Sequence, residues 1–296
     1  AGVAEPILTL ARTRHARAFH LCISLLERNN PAFAAALVAG SIDEAALDTI
    51  RANEDANGTS YAVYVLERMI SLDEAVRARC MAAKVDVPVL AAMRGHHMTT
   101  MVTACQLMHI LSDDPGVAQR LAEAHAEEVF LEVARLGPPD TRGNGALALN
   151  LMLNEPGVAD RVAEAGGDEL LLIVARESSE EGSAYAAASL NTLLYHRADL
   201  ADRVVEKRGI STMAHVLGFS TPFGRGCAVL VLYSLLNSPT AGALARERLS
   251  NLSVEGNLLV VMAYDMDAAL SYRLATGLIL ARLMAGGPAG AKRVLA

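Results

Sequence analysis

The sequence predicts an all-α protein, an α-solenoid of about six to seven three-helix repeats running through residues 1–296 as one elongated domain. Three observations carry this expectation. A segment recurs at a nearly fixed period: Val76–Ala83 (VRARCMAA), Val117–Ala124 (VAQRLAEA), Val158–Ala165 (VADRVAEA) and Leu200–Lys207 (LADRVVEK), with first residues stepping by 41, 41 and 42 positions. A period of this length marks one supersecondary unit stacking on the next. The apolar residues are mainly Ala, Leu and Val, of which Ala and Leu strongly favour helices, and no stretch shows β-alternation. Each repeat also contains a segment with apolar residues around nearly its whole circumference, as in a helix buried on most sides.

The elements follow in chain order. Pro6–Arg12 reads as a second helix and His15–Glu27 as a third, so the chain opens inside a repeat. Phe33–Gly40 (FAAALVAG) is an earlier copy of the recurring segment, 43 residues before Val76. Prolines at Pro31, Pro115, Pro156 and Pro288 precede copies of the segment by two residues and suit the first turn of an opening helix, where the missing N–H costs nothing. After Val117 come a second helix, Ala126–Arg135, a turn over Gly137–Gly145 containing Pro138-Pro139, and a third helix, Ala146–Leu153. The next repeat has a break at Gly166-Gly167 and a second helix, Asp168–Glu177, with Asp168 as its N-cap. A turn over Ser178–Gly182 and a third helix, Ser183–Tyr195, complete it. The following repeat keeps this order: a break at Arg208-Gly209, helix Ile210–Gly218, a turn over Ser220–Gly226, and helix Cys227–Leu236. Ala243–Arg248 and Gly290–Leu295 continue the recurring segment, and Leu274–Met284 reads as another third helix. Neither end resembles the polar cap a solenoid needs, so a segment of a longer array, or a partner covering an end, is expected.

Composition excludes several function classes. A net charge of −7 argues against a general nucleic-acid binder, which carries a basic stripe. Of the 26 basic residues only Lys84, Lys207 and Lys292 are lysines, which reads as nucleotide bias in the source genome. Cys22, Cys80, Cys105 and Cys227 form no CxxC pair and read as buried free thiols in a reducing, cytoplasmic compartment. No apolar run reaches the ~18–20 residues of a membrane span, and no targeting segment is visible.

No residue pattern calls for a cofactor, a metal or catalysis. His96-His97 follow Gly95 without Cys or carboxylate at ligand spacing, and read as a solvated loop pair. His109 reads as a hydrogen-bonded, semi-buried residue, and the other histidines join no nucleophile. Gly143-Asn144-Gly145 and Gly224-Arg225-Gly226 lack the spacing of phosphate-binding loops, so their glycines are expected to supply left-handed turns between helices. Asp113-Asp114 and Glu180-Glu181 fall in turns or helix starts, where they favour the helix dipole. Arginine at the fourth place of the recurring segment (Arg79, Arg120, Arg161, Arg203) has two readings: ion pairs with acids of the adjacent repeat, or a stripe for an acidic partner.

A short, a medium and a long buried helix every 41 residues or so resemble the armadillo repeat. The resemblance is most specific over Val158–Leu236, in VAEAGGDELLLIVARE (Val162–Glu177) and ASLNTLLYH (Ala188–His196), and its period covers essentially the whole chain. HEAT repeats, with two helices per unit, fit less well. The resemblance implies a right-handed array whose third helices line a concave groove, where in several members a repeated Asn grips a peptide backbone. Here Arg68, His109, Asn150, Asn191 and Tyr233 stand in that register, and Asn150 and Asn191 carry the Asn. An amide donates and accepts at once, which suits it to an extended main chain. The competing reading is that each Asn bonds within the array. The tryptophans that accompany Asn in nuclear-import receptors are absent, so basic localisation signals are not the expected ligand.

Gly256–Gly286 also resembles, in helical pattern, the closing repeats of UNC-45-type myosin chaperones. The expected function is therefore a non-catalytic scaffold binding a peptide or helix of a protein partner, with no nucleic acid and no cofactor. The alternatives are an UNC-45-type co-chaperone and a structural subunit whose ends are covered by neighbours.

Overall fold

In a computed structural model the described residues are 3–28, 30–95, 97–114, 116–263 and 270–285. His96, Pro115, Pro288 and the closing segment Gly290–Leu295 lie outside them. The chain divides into two compact units, residues 1–129 and 130–296.

In the first unit α1 (Ala4–Arg12) and α2 (Ala16–Leu26) are a second and a third helix. A complete repeat follows: α3 (Pro31–Ala39), α4 (Ile42–Ala52) and α5 (Ala56–Leu72). The next is α6 (Glu74–Ala82), α7 (Asp86–Met93) and α8 (Met98–Ile110), and then α9 (Val117–Glu123) opens a third. The unit boundary falls within α10 (Glu127–Leu136). The second unit continues with α11 (Pro139–Met152), then α12 (Val158–Glu164), α13 (Gly167–Glu177) and α14 (Glu180–His196). Next come α15 (Ala201–Glu206), α16 (Gly209–Phe219) and α17 (Pro222–Asn237), and last α18 (Gly242–Ser250), α19 (Glu255–Ala263) and α20 (Leu270–Ala285). Third helices stack side by side within each unit: α2, α5 and α8 in the first, and α11, α14, α17 and α20 in the second.

The joint between first and second helices has one recurrent geometry. Ser41, Lys84, His125, Gly166 and Arg208 occupy equivalent places and all adopt positive φ, between 49° and 74°. Glycine stands at only one of them. A left-handed residue costs an L-amino acid roughly 1–2 kcal/mol, so packing on both sides of the joint holds the turn. Each second helix then starts one or two residues later. At Gly166 the offset is one residue, which corrects the expectation for Asp168. Gly166, not Asp168, precedes α13, and Asp168 lies in its first turn, fully buried.

Its burial is explained by a repeated ion pair between repeats. Arg203 donates from Nε and Nη2 to the two oxygens of Asp168 at 2.6 Å each. Arg79 holds Asp43 in the same way at 2.8 and 3.0 Å, and Arg120 holds Asp86 at 2.8 and 2.9 Å. The three carboxylates are at most 3% exposed. In each case the acid lies in the first turn of a second helix and the Arg comes from the first helix of the following repeat. These planar forks match carboxylate geometry, and the hydrogen bond to Asp86 raises the Arg120 guanidinium pKa further. At these three positions the Arg column pairs internally.

The turns expected over Gly137–Gly145 and Ser220–Gly226 are helical from Pro139 and Pro222 onward. Proline at the first turn starts α11 at Pro139 and α17 at Pro222. Gly143, Gly145, Gly224 and Gly226 are therefore helix residues, and their role is close approach. A Cβ on Gly143 would lie 2.3 Å from the Gly182 Cα of α14, and one on Gly224 would lie 2.8 Å from the Ala184 Cα. Pro156 also departs from expectation: it lies in the turn before α12, and Gly157, at φ 76°, precedes the helix.

The core is aliphatic, with α14 alone burying Leu190, Leu193 and Leu194 and a run of alanines that lets its neighbours close in. All four cysteines are free and buried. Burial pushes the Cys22 and Cys80 thiols up to about 12 and the Cys227 thiol up to about 11. The native protein should release no thiolate to a disulfide reagent at pH 8, and the guanidinium-unfolded chain should release four equivalents. Because the folded thiols titrate above the unfolded ones, this contribution to stability is complete below the unfolded pKa near 9 and is lost as pH rises toward the folded values.

Candidate functional site

The candidate surface is the face formed by third helices. In the second unit its shape depends on how α11, α14 and α17 begin. Ser179 Oγ accepts from the Gly182 amide at 3.2 Å, and Thr221 Oγ1 accepts from the Gly224 amide at 3.2 Å. These caps satisfy otherwise orphaned donors and place Gly182 and Gly224 at the close crossings described above.

Three polar rungs then join α14 to α11 and the turn that follows it. Ser189 Oγ donates to the Ala146 carbonyl at 2.7 Å, Thr192 Oγ1 donates to Asn150 Oδ1 at 3.0 Å, and His196 Nε2 lies 2.9 Å from Asn154 Oδ1. The carboxamide oxygen of Asn150 is thus engaged inside the array. Asn191 differs: it is half-buried and its amide makes no hydrogen bond to the described residues. One turn further along the same helix face, Tyr195 is 82% exposed, its ring edge-on to His196 at 5.1 Å. Tyr233 is half-buried, with the Arg282 guanidinium 5.7 Å above its ring. Arg282 Nη2 also donates to Asn237 Oδ1 at 2.6 Å, and Asn237 Nδ2 donates to the Tyr233 carbonyl at 2.7 Å.

The first unit carries the other two residues of the register. Arg68 is half-buried on α5, and its Nε is buried without a hydrogen bond. Burial raises the neighbouring Glu67 carboxyl against the pull of Arg68, and burial and then Glu27 raise Tyr64. His109 is exposed and makes no hydrogen bond to the described residues, against the expectation of a semi-buried, bonded histidine. Each unit therefore has its own third-helix face, with Arg68 and His109 on one and Asn150, Asn191 and Tyr233 on the other.

Three residues in register escaped the sequence reading: Asn154, Tyr195 and Asn237, one turn beyond Asn150, Asn191 and Tyr233. Their spacing of 41 and 42 residues was the available signal. Among the described residues no group of His, Cys, Asp and Glu stands close enough to hold a metal, and no helix is long and apolar enough to cross a membrane.

Solved structures share this fold. An engineered protein from a structural-genomics programme is 14% identical, with a TM-score of 0.67 over 99% of this chain and 71% of its own. A designed armadillo repeat protein is 13% identical, with a TM-score of 0.60 over 84% of this chain and 99% of its own. The fold is that of the armadillo repeat. A second designed armadillo repeat protein, solved in complex with a (KR)4 peptide, aligns at 12% identity and a TM-score of 0.55. The UNC-45 chaperone, described as binding and folding muscle myosin, aligns at 16% identity and a TM-score of 0.56 over 90% of this chain and 32% of its own. No protein-family model and no curated protein sequence matches the chain. At these identities the armadillo likeness describes the fold.

Proposed function

We propose that this chain is a non-catalytic interaction scaffold that holds a peptide or helix of a protein partner on its third-helix faces, in a reducing, cytoplasmic setting. The observation that carries the reading is the Asn191 amide. It stands in register between Asn150 and Tyr233, beside the exposed ring of Tyr195, and bonds nothing among the described residues. A free amide next to an aromatic surface suits an extended main chain: the amide pairs with its N–H and C=O, and the ring covers a side chain. Arg68 and His109 offer charged and polar groups at the same register in the first unit.

The test is selection of a ligand from a random-peptide display library, followed by affinity measurement. Asn191→Ala and Tyr195→Ala should each weaken the selected peptide about tenfold, the worth of one good hydrogen bond or stacked ring, at an unchanged unfolding midpoint. Asn150→Ala should instead lower the midpoint, since its partner is Thr192. A peptide bound equally by all three variants removes the third-helix face from the reading.

A second reading, a subunit packed against another chain, is favoured by the outer surface of the last repeat. Leu270 and Leu274 of α20 are 81% and 64% exposed, and Leu259 and Met262 of α19 are exposed as well. Large side chains left in water at this density mark contact surfaces. Leu270→Asp with Leu274→Asp should lower the concentration-dependent mass of the chain in light scattering, and an unchanged mass counts against this reading. An UNC-45-type co-chaperone role rests on the shared fold, and affinity for a myosin motor domain is its measurement.

A further inference from the structure

A second candidate site lies in the second unit, away from the third helices, at the joint between α16 and α18. At four earlier joints the residue two places after the left-handed one is a buried acid: Asp43, Asp86, Glu127 and Asp168. At this joint it is Ile210, itself 1% exposed. The arginine that follows in register, Arg246, has no such carboxylate and donates to the Leu236 carbonyl at 3.4 Å.

A cavity of about 530 Å³ opens there, lined by Glu206, Arg208, Ile210, Ser211, Arg248, Asn251 and Leu252. The corresponding cavity of the first unit, about 350 Å³, is lined by Asp43, Glu44, Asp48, Arg51 and Arg79, and its Arg79 is neutralised by Asp43 at 2.8 Å. The balance of charge therefore reverses between the two, from three carboxylates against two guanidiniums to one carboxylate against two guanidiniums. Arg208 makes no side-chain hydrogen bond to the described residues. Arg248 spends one Nη1 donor on the Val205 carbonyl, out of the five N–H donors a guanidinium carries.

We propose that this cavity binds an anionic group, phosphoryl or carboxylate, seated between the Arg208 and Arg248 guanidiniums with the Asn251 amide as a further polar contact; the Ser211 hydroxyl donates to the Arg208 carbonyl at 3.0 Å. The chemistry is that of the buried Asp–Arg forks elsewhere in the chain, with the acid supplied from outside. The cavity has room for a group larger than the carboxylate it replaces. Glu206, also in the lining, disfavours ligands of spread negative charge and favours a compact anion placed between the two arginines.

The test is a nitrogen–proton correlation titration of the intact chain with sodium phosphate and, separately, sodium acetate, at constant ionic strength. The amides of Arg208, Ser211 and Asn251 should shift along one saturating curve. Arg208→Gln and Arg248→Gln should each weaken binding about tenfold, as expected for loss of one charge-assisted contact. Arg246→Gln should leave it unchanged. Ile210→Asp, which restores the internal carboxylate found at the other joints, should abolish it. Saturation by phosphate alone assigns a phosphoryl group, saturation by acetate alone assigns a carboxylate, and saturation by both supports a site for either anion. Shifts that fail to saturate, or an affinity unchanged in Arg208→Gln and Arg248→Gln, overturn the site.

Discussion

Gly143→Ala should destabilise the second unit by about 2–3 kcal/mol, although alanine is the better helix former by about 1 kcal/mol. Gly143 lies inside α11, where propensity alone predicts a gain. Its added Cβ would meet the Gly182 Cα at 2.3 Å, and the obstacle is backbone, which has no rotamer to escape into. To admit the methyl group, α11 and α14 must separate, and the rungs Ser189–Ala146 and Thr192–Asn150 lengthen with them. A matched control lies in the same unit. Gly277, inside α20, has nothing within 4 Å of its Cβ position, so Gly277→Ala should stabilise by about 0.5–1 kcal/mol. Urea midpoints of the two variants should move in opposite directions. Equal shifts would show that the glycines act through helix propensity and not through helix crossing.

Arg120→Ala should cost about 3 kcal/mol, the second large effect. The Asp86 carboxylate is 1% exposed and its fork with Arg120 is the ion pair that accompanies its burial. Removing the guanidinium strands a charge in the interior, and breaking such a pair typically costs about 3–5 kcal/mol. The lower end applies because Arg120 keeps a quarter of its side-chain surface in water. Adding Asp86→Asn removes the stranded charge and should recover more than half of the loss in the double variant. A double variant no more stable than Arg120→Ala would show that the Arg stem, and not the charge, carries the effect. Arg120→Lys should also destabilise, since an ammonium cannot reproduce two parallel bonds.

Period and helix type were legible from the residues because a stacked repeat must present the same apolar positions each time. Helix starts were less so. Gly137–Gly145 and Ser220–Gly226 carry the proline and glycine that ordinarily end helices, yet Pro139 and Pro222 open them and the glycines make room for a neighbour. That neighbour is some 40 residues away in sequence, so local propensity cannot report it. The arginine column was visible, but its acids lie 34–36 residues upstream, in a different helix of the preceding repeat. Asn150 and Asn191 looked alike as letters. Only the Thr192 hydroxyl, held against Asn150 by packing, distinguishes an internal amide from a free one.

The Asp–Arg forks also decide how the second unit responds to a pull on its ends. Asp168 and Arg203 fasten one repeat to the next through a charged clasp that must be broken in a single step. Between α16 and α18 that clasp is replaced by Ile210 and by bonds to neutral acceptors, from Arg246 to the Leu236 carbonyl and from Arg248 to the Val205 carbonyl. Tension applied along the chain meets no buried carboxylate fork there among the described residues. The last repeat, α18 to α20, should come away first and at low force, while the repeats before it stay joined.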